Sequence, residues 1–534
     1  MGELTTPRDA RDAATWSPRV ALAARGVVAG LLSAAAALGV AELVAALMTS
    51  SGSPLVAVGG AFIDATPRWL KEFAIQAFGE NDKRVLLVGI SVTVAMLAAV
   101  IGVVAQWRPR IGVAAVLILG LVPAAAAISR PTGEARDMVP AVVGAVVGAG
   151  FLWLFSRGSD ARTSVVRSEH DDSQAGSASL SRRSFLAVAG AAAVVAATAG
   201  VVGRAIINGR VEVEALRAAL RLPRPASPAP QLPASADLEV PGVSSYFTSN
   251  ADFYRVDTAL VVPSVDSRDW ELRVHGLVAQ ERTYSFDDLL AMPLIERDIT
   301  LTCVSNEVGG DLVGNARWLG VPVARLLDEV GPSDQADQVV SRSVDGMTIG
   351  TPLQALLDGR DAILAVGMNG EPLPVEHGFP VRMVVPGLYG YVSACKWIAE
   401  MEVTTFDAYD AYWVKRGWVE EAPIKLSARI DTPRPLSKVS GDIQVGGVAW
   451  AQHLGVEHVE VRVDDGVWQS AELAGDGGID SWRQWVWSWQ SPEPGNHTLE
   501  VRATDRTGYV QPGERAEPFP SGSTGWHSVV VTVT

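Results

Sequence analysis

Five apolar stretches, each about 20 residues long, lie within the first 206 residues of this 534-residue chain. They fall near residues 26–49, 84–107, 111–129, 138–156 and 184–206. A helix needs about 20 predominantly apolar residues to cross the hydrocarbon core of a bilayer. We therefore predict that residues 1–206 form an α-helical, multi-pass domain of about five transmembrane helices in contact with membrane lipid.

Basic residues cluster before the first, after the second and after the fourth of these stretches. They are Arg8, Arg11, Arg19, Arg108, Arg110, Arg157, Arg162, Arg167, Arg182 and Arg183. Because cytoplasmic loops of membrane proteins are rich in Lys and Arg, these groups indicate the cytoplasmic side. An odd number of spans then predicts a plasma-membrane protein whose residues after 206 lie on the extracytoplasmic side.

A second signal lies at residues 181–186, where Ser-Arg-Arg-Ser-Phe-Leu precedes an alanine-rich apolar run. This segment resembles a twin-arginine export signal, which directs proteins that are already folded across the membrane. Two ordinary positive-inside arginines are the alternative interpretation. The two interpretations differ in one consequence, because replacing Arg182 and Arg183 by lysine would trap the following part inside the cell only if the signal is used.

Residues 207–534, which we expect to be exported, divide into three regions by composition and by the periodicity of their apolar residues. Residues 207–240 are rich in Pro, Ala and Ser, which predicts an extended, semi-rigid linker. Residues 241–418 mix short strand patterns with helical ones and predict an α+β domain. In residues 423–534 helical patterns are absent, and segments such as 458–463 and 498–503 alternate apolar and polar residues. This last region predicts an immunoglobulin-like β-sandwich.

Composition limits the partners of the exported part. Residues 207–534 hold 26 Lys and Arg against 45 Asp and Glu, which argues against nucleic acid as a partner. The only cysteines, Cys303 and Cys395, cannot form a disulfide framework or a four-cysteine zinc site. None of the seven histidines lies in a predicted span, so we expect no haem held by this chain. Any electron transfer would need a separate carrier.

Cys303 is the first candidate for chemistry. It follows a β-type run and precedes a polar, glycine-containing loop in the segment 300–310. A thiolate in such a position suits a redox metal, whereas a structural cysteine normally lies inside an uninterrupted apolar element. Taken alone, the segment leaves a metal ligand and a structural cysteine equally open. Cys395 is interpreted as a small buried residue.

Further motifs follow in a fixed order. Gly-Asn-Ala-Arg-Trp-Leu-Gly-Val occupies residues 314–321, and His-Gly-Phe-Pro-Val-Arg-Met-Val-Val-Pro-Gly-Leu-Tyr-Gly occupies residues 377–390, with Lys-Trp at 396–397. Together with Cys303 these motifs resemble the sulfite oxidase family of molybdenum enzymes. The resemblance covers residues 241–534, because Trp- and Asp-containing motifs after residue 448 resemble the family's C-terminal dimerisation module, which leaves a homodimer open.

The resemblance implies a cofactor and roles for particular residues. In that family a cysteine thiolate and the dithiolene of one molybdopterin hold molybdenum, so Cys303 would be the metal ligand. Cofactor-binding residues would be Asn250, Tyr254, Arg255, Asn306, His377, Arg382, Gly387, Gly390 and Lys396. Among these, His377, Arg382 and Lys396 can donate to the anionic phosphate. Arg317 would join Cys303 as a catalytic residue, with a solvated arginine as the alternative.

The chain also departs from the family in ways that concern the substrate. Animal and plant sulfite oxidases have a Cys-x-Gly-Asn-Arg-Arg pattern where residues 303–308 here read Cys-Val-Ser-Asn-Glu-Val. A desolvated sulfite dianion needs compensating donors. Arg317, Lys415 or Arg416 could supply them from other positions. Sulfite is therefore one candidate substrate, and a neutral sulfoxide is a serious rival.

The function predicted from the sequence is two-electron oxygen-atom transfer on a small sulfur-containing or similar oxo substrate. Electrons would pass through a separate cytochrome or quinone-linked protein. One alternative is a sulfoxide-type reductase that takes electrons from the quinone pool. An alternative from another class is a non-catalytic membrane scaffold that has kept the cofactor-binding fold.

Overall fold

The computed structural model describes residues 18–48, 54–67, 70, 82–129, 135–163 and 180–534. They belong to two compact units, Met1–Gly209 and Arg210–Thr534. The division separates the apolar N-terminal part of the chain from the part that carries every predicted site residue.

The first unit is helical. Its elements are α1 (Pro18–Met48), α2 (Pro54–Ala65), α3 (Asp82–Trp107), α4 (Pro109–Ile128), a 3-10 turn (Ala135–Met138), α5 (Val139–Thr163) and the beginning of α6 (Leu180–Ala219). Helices α1 and α3 approach closely at small residues, because a Cβ atom on Gly30 would collide with the carbonyl group of Ala98. Contacts of this kind let membrane helices pack backbone against backbone.

Within the described residues, four helical segments are long and apolar enough to cross a membrane. They are Leu22–Met48, Val85–Trp107, Pro109–Ile128 and Ala135–Ser156, and they match the first four predicted spans. In the fifth predicted span the described apolar helix covers only Phe185–Thr198. A fifth crossing therefore stays a prediction. The twin-arginine motif lies at the beginning of α6, but the side chains of residues 181–184 are outside the described part of the chain.

Residues 207–240 differ from the extended spacer that we predicted. Helix α6 continues to Ala219, and the residues after it run along the second unit. The Ala226 N–H donates to the Leu294 carbonyl (2.8 Å), and the Leu238 N–H donates to the Gln484 side chain (2.6 Å). The reason is the apolar residues among the prolines, such as the buried Ala236, which gain stability by packing on the domain.

Two sheets form the predicted α+β region. The first contains β1 (Glu271–Gly276), β2 (Arg282–Ser285), β5 (Gln338–Ser343), β6 (Thr348–Pro352) and β10 (Ile398–Thr404), in the order β2-β1-β10-β5-β6. The second contains β3 (Ile295–Thr302), β4 (Val313–Pro322), β7 (Ile363–Met368) and β8 (Glu371–Pro372) in chain order, and β9 (Arg382–Val384) pairs with β7. Only the β1–β10 pair is parallel in these two sheets.

Short helices connect these strands. They are α7 (Phe286–Ala291), α8 (Val323–Val330), α9 (Leu353–Leu357) and α10 (Gly390–Ser393), with 3-10 turns at Val375–His377 and Val414–Arg416. Helix α7 begins with a capping box in which Ser285 and Asp288 satisfy each other's backbone N–H groups. Helix α8 buries its apolar face and ends at Gly331, whose φ of 65° suits a glycine.

The C-terminal region is mostly β. One sheet contains four strands in the order β11 (Ser427–Thr432), β13 (Ile443–Trp450), β17 (Arg483–Trp489) and β16 (Glu472–Leu473). The other sheet contains five strands in the order β12 (Lys438–Val439), β19 (His527–Val533), β18 (Gly495–Asp505), β14 (Val456–Val463) and β15 (Gln469–Ser470). Trp485 from the first sheet and Val501 from the second lie in one buried cluster. The β prediction for this region is confirmed, and its likeness to an immunoglobulin domain stays a prediction.

Candidate functional site

Cys303 lies in a tight turn directly after β3. The Cys303 N–H donates to the Leu312 carbonyl (2.9 Å), and the Cys303 carbonyl accepts from the Asn306 N–H (3.0 Å). The thiol is free and buried. Burial raises its pKa, while hydrogen bonds with Ser305 and the charge of Lys396 act in the opposite direction. A thiol in this setting becomes a thiolate when a metal ion sits beside it.

A cleft extends from Cys303 within the α+β region. The volume of the cleft that water molecules can reach is about 140 Å³. Six of the predicted site residues line it: Tyr254, Cys303, His377, Arg382, Gly390 and Lys396. Residues far apart in the sequence therefore meet around one thiol.

Arg382 is a buried cation on β9. Its guanidinium group lies 5.0 Å from the ring of Trp318, and one terminal nitrogen donates to the His377 carbonyl (3.3 Å). Its Nε–H is buried without a hydrogen-bond partner. Burial lowers its pKa to about 10, so the group stays charged at neutral pH. An unsatisfied, charged donor at a cleft wall is a place for an anionic ligand group.

Lys396 is a second buried cation in the cleft. Its ammonium group lies 2.9 Å from the carboxylate of Asp257, and the two side chains are 10% and 5% exposed. Burial lowers the pKa of Lys396 to about 8, and the Asp257 charge opposes that shift. Arg255 pairs with the same carboxylate at 2.8 Å from a more exposed position, and it does not line the cleft.

His377 is held by the backbone of Asn250. The His377 Nε2 atom lies 2.9 Å from the Asn250 carbonyl oxygen, so the ring donates its Nε2 proton there. Burial, and then the Arg382 charge, lower the His377 pKa to about 4. The neutral ring has only an acceptor at Nδ1. Our expectation that His377 donates to a phosphate is not met, because its one proton is already used.

Tyr254 and Gly390 meet at the cleft wall. The Tyr254 ring is stacked on Phe253 with the ring centroids 5.3 Å apart, and burial raises the pKa of its hydroxyl group. A Cβ atom on Gly390 would lie 3.7 Å from the Tyr254 hydroxyl, an ordinary contact. The space beside Tyr254 at Gly390 is therefore large enough for a ligand atom or for a small side chain.

Comparisons with known proteins agree with this site. The family model described as "Oxidoreductase molybdopterin binding domain" matches residues 259–413. An oxidoreductase named YuiH from Bacillus subtilis is 34% identical over 153 residues, which cover 29% of this chain and 74% of that protein. Mouse mitochondrial sulfite oxidase is 31% identical over 342 residues, which cover 54% of this chain and 62% of that protein.

The chain belongs to the sulfite oxidase family of molybdopterin-binding oxidoreductases. The match covers 62% of the length of the mouse, rat and human sulfite oxidases, which is less than two thirds. A solved structure, the sulfane dehydrogenase SoxCD from Paracoccus pantotrophus, is similar with a TM-score of 0.48 and 22% identity, and covers 57% of this chain and 90% of that chain.

The residues present fit the cofactor of this family. Among the described residues, no group of three or more His, Cys, Asp and Glu side chains could hold a metal ion. A single thiol instead suits a metal whose other ligands come with a cofactor. Two buried cations, one with an unsatisfied N–H, suit an anionic cofactor group.

Several predicted site residues lie outside the cleft. Arg317 forms a two-pronged pair with Asp298 (2.7 and 2.9 Å) and lies over the ring of Phe247, so it does not line the cleft as a catalytic residue would. The Asn306 side chain accepts from the Leu312 N–H (2.9 Å) and holds the turn around Cys303.

Asn250 and Gly387 also lie outside the cleft lining, and their contacts stabilise the fold. The Asn250 amide donates to Glu371 (2.6 Å), and only its backbone carbonyl reaches a cleft residue. Gly387 has a φ of 80°, and a Cβ atom there would lie 3.3 Å from the Cβ atom of His453. Glycine at this position is explained by the turn and by packing on the C-terminal region.

The cleft residues that sequence reasoning missed include Asp257, Asp345, Tyr391, Trp413 and Trp418. The spacing of Trp413 and Trp418 around Lys415 and Arg416 was a usable signal for the two rings. Neither Lys415 nor Arg416 lines the cleft.

Proposed function

We propose that this protein is a membrane-anchored molybdenum oxidoreductase that performs two-electron oxygen-atom transfer on a small sulfur-containing or similar oxo substrate. One observation supports this most strongly. The buried free thiol of Cys303 opens into a cleft whose walls carry the buried cations Arg382 and Lys396. That combination suits a thiolate-bound metal with an anionic organic cofactor.

Each residue of the cleft would have a distinct task. Cys303 would bind molybdenum, and the bound molybdopterin cofactor would supply the redox chemistry. Arg382 and Lys396 would bind the cofactor's phosphate, and Asp257 would hold Lys396 in place and charged. His377 would stay neutral and fix the segment of Asn250 against the cleft wall. Asn306 would keep the Cys303 turn in shape.

The direction of the reaction is open to two proposals. Sulfite oxidation requires cations that face the substrate, and Arg317 is engaged by Asp298. A sulfoxide-type reductase that takes electrons from the quinone pool is the second candidate, supported by the absence of Arg317, Lys415 and Arg416 from the cleft lining. Either reaction would need a separate cytochrome or quinone-linked carrier. Assays of sulfite-dependent dye reduction and sulfoxide-dependent oxidation of a reduced dye separate the two.

The N-terminal helices would anchor the enzyme. Four membrane-length helices among the described residues, a fifth crossing over residues 184–206 and the twin-arginine-like segment would together give a multi-pass plasma-membrane protein with an extracytoplasmic catalytic region. Conversion of Arg182 and Arg183 to lysine should retain the catalytic region in the cytoplasm. Unchanged export would remove the twin-arginine proposal. The C-terminal β region would serve as an immunoglobulin-like module, and a homodimer through it is part of the proposal.

Elemental and pterin analysis of the detergent-extracted, full-length protein is the central test. We expect about one molybdenum atom and one pterin per chain. A correctly exported protein that contains neither would leave the alternative of a non-catalytic membrane scaffold. The analysis is independent of the substrate, so it tests the cofactor before the reaction is known.

A further inference from the structure

The segment that follows Cys303 is closed on itself by hydrogen bonds. Residues 304–312, which we call the Cys303 loop, lie between Cys303 and the beginning of β4. The Cys303 N–H donates to the Leu312 carbonyl at the far end of the loop (2.9 Å). The Asn306 N–H donates to the Cys303 carbonyl (3.0 Å), and the buried Asn306 side chain accepts from the Leu312 N–H (2.9 Å). The position of the thiol therefore depends on the position of this loop.

Ser523 is the first residue of the C-terminal β region that binds the Cys303 loop. Its hydroxyl group donates to the Asn306 carbonyl (2.7 Å). The residue before it is fixed as well, because the Lys425 ammonium group donates to the Gly522 carbonyl (2.6 Å). Asn306 is thus held at its backbone by Ser523, while its side chain closes the loop.

Arg429, on β11, is the second such residue. One terminal nitrogen of its guanidinium group donates to the Gly310 carbonyl (2.8 Å), and the other donates to the Ser244 hydroxyl (2.9 Å). Its Nε–H donates to the Asp431 carboxylate (2.6 Å), and the two side chains are 11% and 7% exposed. Because a guanidinium group is planar and presents its donors in fixed directions, these bonds leave little freedom in the position of Gly310.

His527, at the beginning of β19, is the third. Its Nδ1 atom accepts from the Ile430 N–H (3.0 Å), which links the second sheet of the C-terminal region to the first. The ring packs on Gly309 so closely that a Cβ atom there would collide with it. Gly309 also has a φ of 81°, which suits a glycine. A side chain at position 309 would therefore push the loop away from the ring.

The three contacts reach the cleft only through the loop. Ser523, Arg429 and His527 do not line the cleft, and each touches the backbone of the Cys303 loop. A metal ligand has to be held within about 0.5 Å of its productive position, which requires supporting contacts behind it. The C-terminal β region supplies such contacts directly behind the residue that would bind the metal.

We propose that Ser523, Arg429 and His527 are positioning residues of the metal centre, which hold the Cys303 loop and thereby fix the direction from which the thiolate reaches the metal. Loss of contacts that orient a metal ligand typically weakens metal binding or activity about 10-fold to 100-fold. The proposal rests on the proposed function, because it takes Cys303 as the molybdenum ligand. It gives the C-terminal β region a role at the metal in addition to the proposed dimer contact.

Spectroscopy of the full-length, molybdenum-loaded protein in detergent provides the test. The absorption band of the sulfur–molybdenum bond and the EPR g values of the one-electron-reduced protein depend on the overlap of sulfur and metal orbitals, and hence on the direction of the thiolate. Ser523→Ala removes the hydrogen bond to Asn306, so we expect both signals to shift and molybdenum to be lost during dialysis about tenfold faster. Ser523→Thr keeps the hydroxyl group and should give the parent signals. Parent signals in Ser523→Ala, or equal signals in the alanine and threonine variants, overturn the proposal.

Gly309→Ala tests the contact with His527. The added methyl group collides with the ring, so the signals should shift, and His527→Ala in the same chain should bring them back toward those of the parent. Gly508→Ala is the matched control, because Gly508 has a φ of 87° and open space around the missing Cβ atom, so it has the backbone cost alone. Equal signals in Gly309→Ala and Gly508→Ala, or a double variant no closer to the parent, contradict the role of His527.

Thermal unfolding, molybdenum content and pterin content are measured on the same samples. Arg429→Lys keeps a charge beside Asp431 but not the planar fork, so it should fold and shift the signals as Ser523→Ala does. If Gly309→Ala does not fold, Ser523→Ala decides, since it removes one hydroxyl group only. Variants that unfold at a lower temperature with the parent's signals show a purely structural contact and remove the positioning role alone. A parent protein without molybdenum and pterin removes the proposed function, and the positioning role with it.

Discussion

The ammonium group of Lys396 lies 2.9 Å from the carboxylate of Asp257, and both side chains are almost completely buried. A buried ion pair is costly to break, because removing one partner leaves the other charge desolvated. The pair therefore fixes a positive charge beside Cys303 before any cofactor arrives. The phosphate of the cofactor would add a second anion to the same ammonium group.

Asp257→Asn should destabilise the cofactor-free protein more than the loaded one. Loss of the carboxylate leaves Lys396 unpaired at a cost of about 3 kcal/mol, and a bound phosphate restores a partner. Thermal unfolding of both forms measures the difference. Asp266→Asn, which breaks the exposed Asp266–Arg268 pair, is the control and should cost less than about 1 kcal/mol. Equal losses of stability in Asp257→Asn and Asp266→Asn would contradict a stabilising role of the buried Lys396–Asp257 ion pair.

Cys303→Ser should abolish molybdenum binding and turnover while the protein remains folded. The exchange of sulfur for oxygen hardly changes volume, but a hydroxyl group does not replace a soft thiolate as a metal ligand. Cys395→Ser is the matched control, because Cys395 is also buried at the cleft and should leave the molybdenum content unchanged. Metal analysis of both variants measures the molybdenum content. A normal molybdenum content in Cys303→Ser would show that Cys303 is not the metal ligand.

Arg317→Met should lower stability without loss of molybdenum or pterin. The Asp298 side chain is 4% exposed, and leaving it without its guanidinium partner costs about 3 kcal/mol. Adding Asp298→Asn should recover part of that loss, as expected for one coupled pair. A raised KM at unchanged stability would instead indicate that Arg317 acts on the substrate.

The features that could be predicted from the sequence are those that depend on the periodicity of apolar residues and on the order of the motifs along the chain. Four spans, the α+β region and the β-rich C-terminal region follow from the length and alternation of apolar residues, and the motif around Cys303 leads to a cleft that contains six of the predicted residues. The path of residues 220–240 was missed, because burial of a few alanines and leucines between prolines depends on a tertiary surface that composition does not reveal.

Charged residues were the hardest to predict, because their partners decide their direction. Arg317 lies within the family-like motif at residues 314–321, yet Asp298 on the neighbouring strand holds it away from the cleft. Lys415 and Arg416 are adjacent to cleft residues, yet the rings of Tyr409 and Tyr412 hold them. Sequence spacing gives the position of such a side chain along a strand or turn, and only the fold brings its counter-charge or ring into contact.

The pair of His453 and Asp480 predicts a dependence of stability on pH. Their Nδ1 and Oδ1 atoms lie 2.9 Å apart, and this hydrogen bond raises the His453 pKa, with Arg360 lowering and Asp358 raising it to smaller extents. A raised folded-state pKa stabilises the protein below the ordinary value of about 6.5, and the effect is lost as the pH rises through the folded-state value.

His453→Gln should therefore be destabilised relative to the parent at pH 5.5 and much less at pH 8.5. The pair is partly exposed and screened, so we expect a difference below about 1 kcal/mol. Thermal unfolding at both pH values measures it, and Asp480→Asn should remove the same increment. A gap that widens toward high pH would contradict the assignment of the charge to His453.

Gly378 separates His377 from the segment that leads to Arg382 and should tolerate no side chain. Its φ is 111°, and a Cβ atom there would lie 3.0 Å from the Cβ atom of Arg382 and 3.1 Å from that of Lys396. Gly378→Ala should therefore displace both cations of the cleft and lower the pterin and molybdenum contents, in addition to a backbone cost of about 1–2 kcal/mol.

Gly359→Ala is the matched control for this substitution. Gly359 has a φ of 89° and open space around the position of the missing Cβ atom, so alanine there has the backbone cost alone. Thermal unfolding should shift in both variants, whereas only Gly378→Ala should lose pterin. The two variants share the backbone cost, and only Gly378→Ala displaces Arg382 and Lys396. Equal pterin contents in the two variants would therefore show that the positions of these two cations do not control cofactor binding.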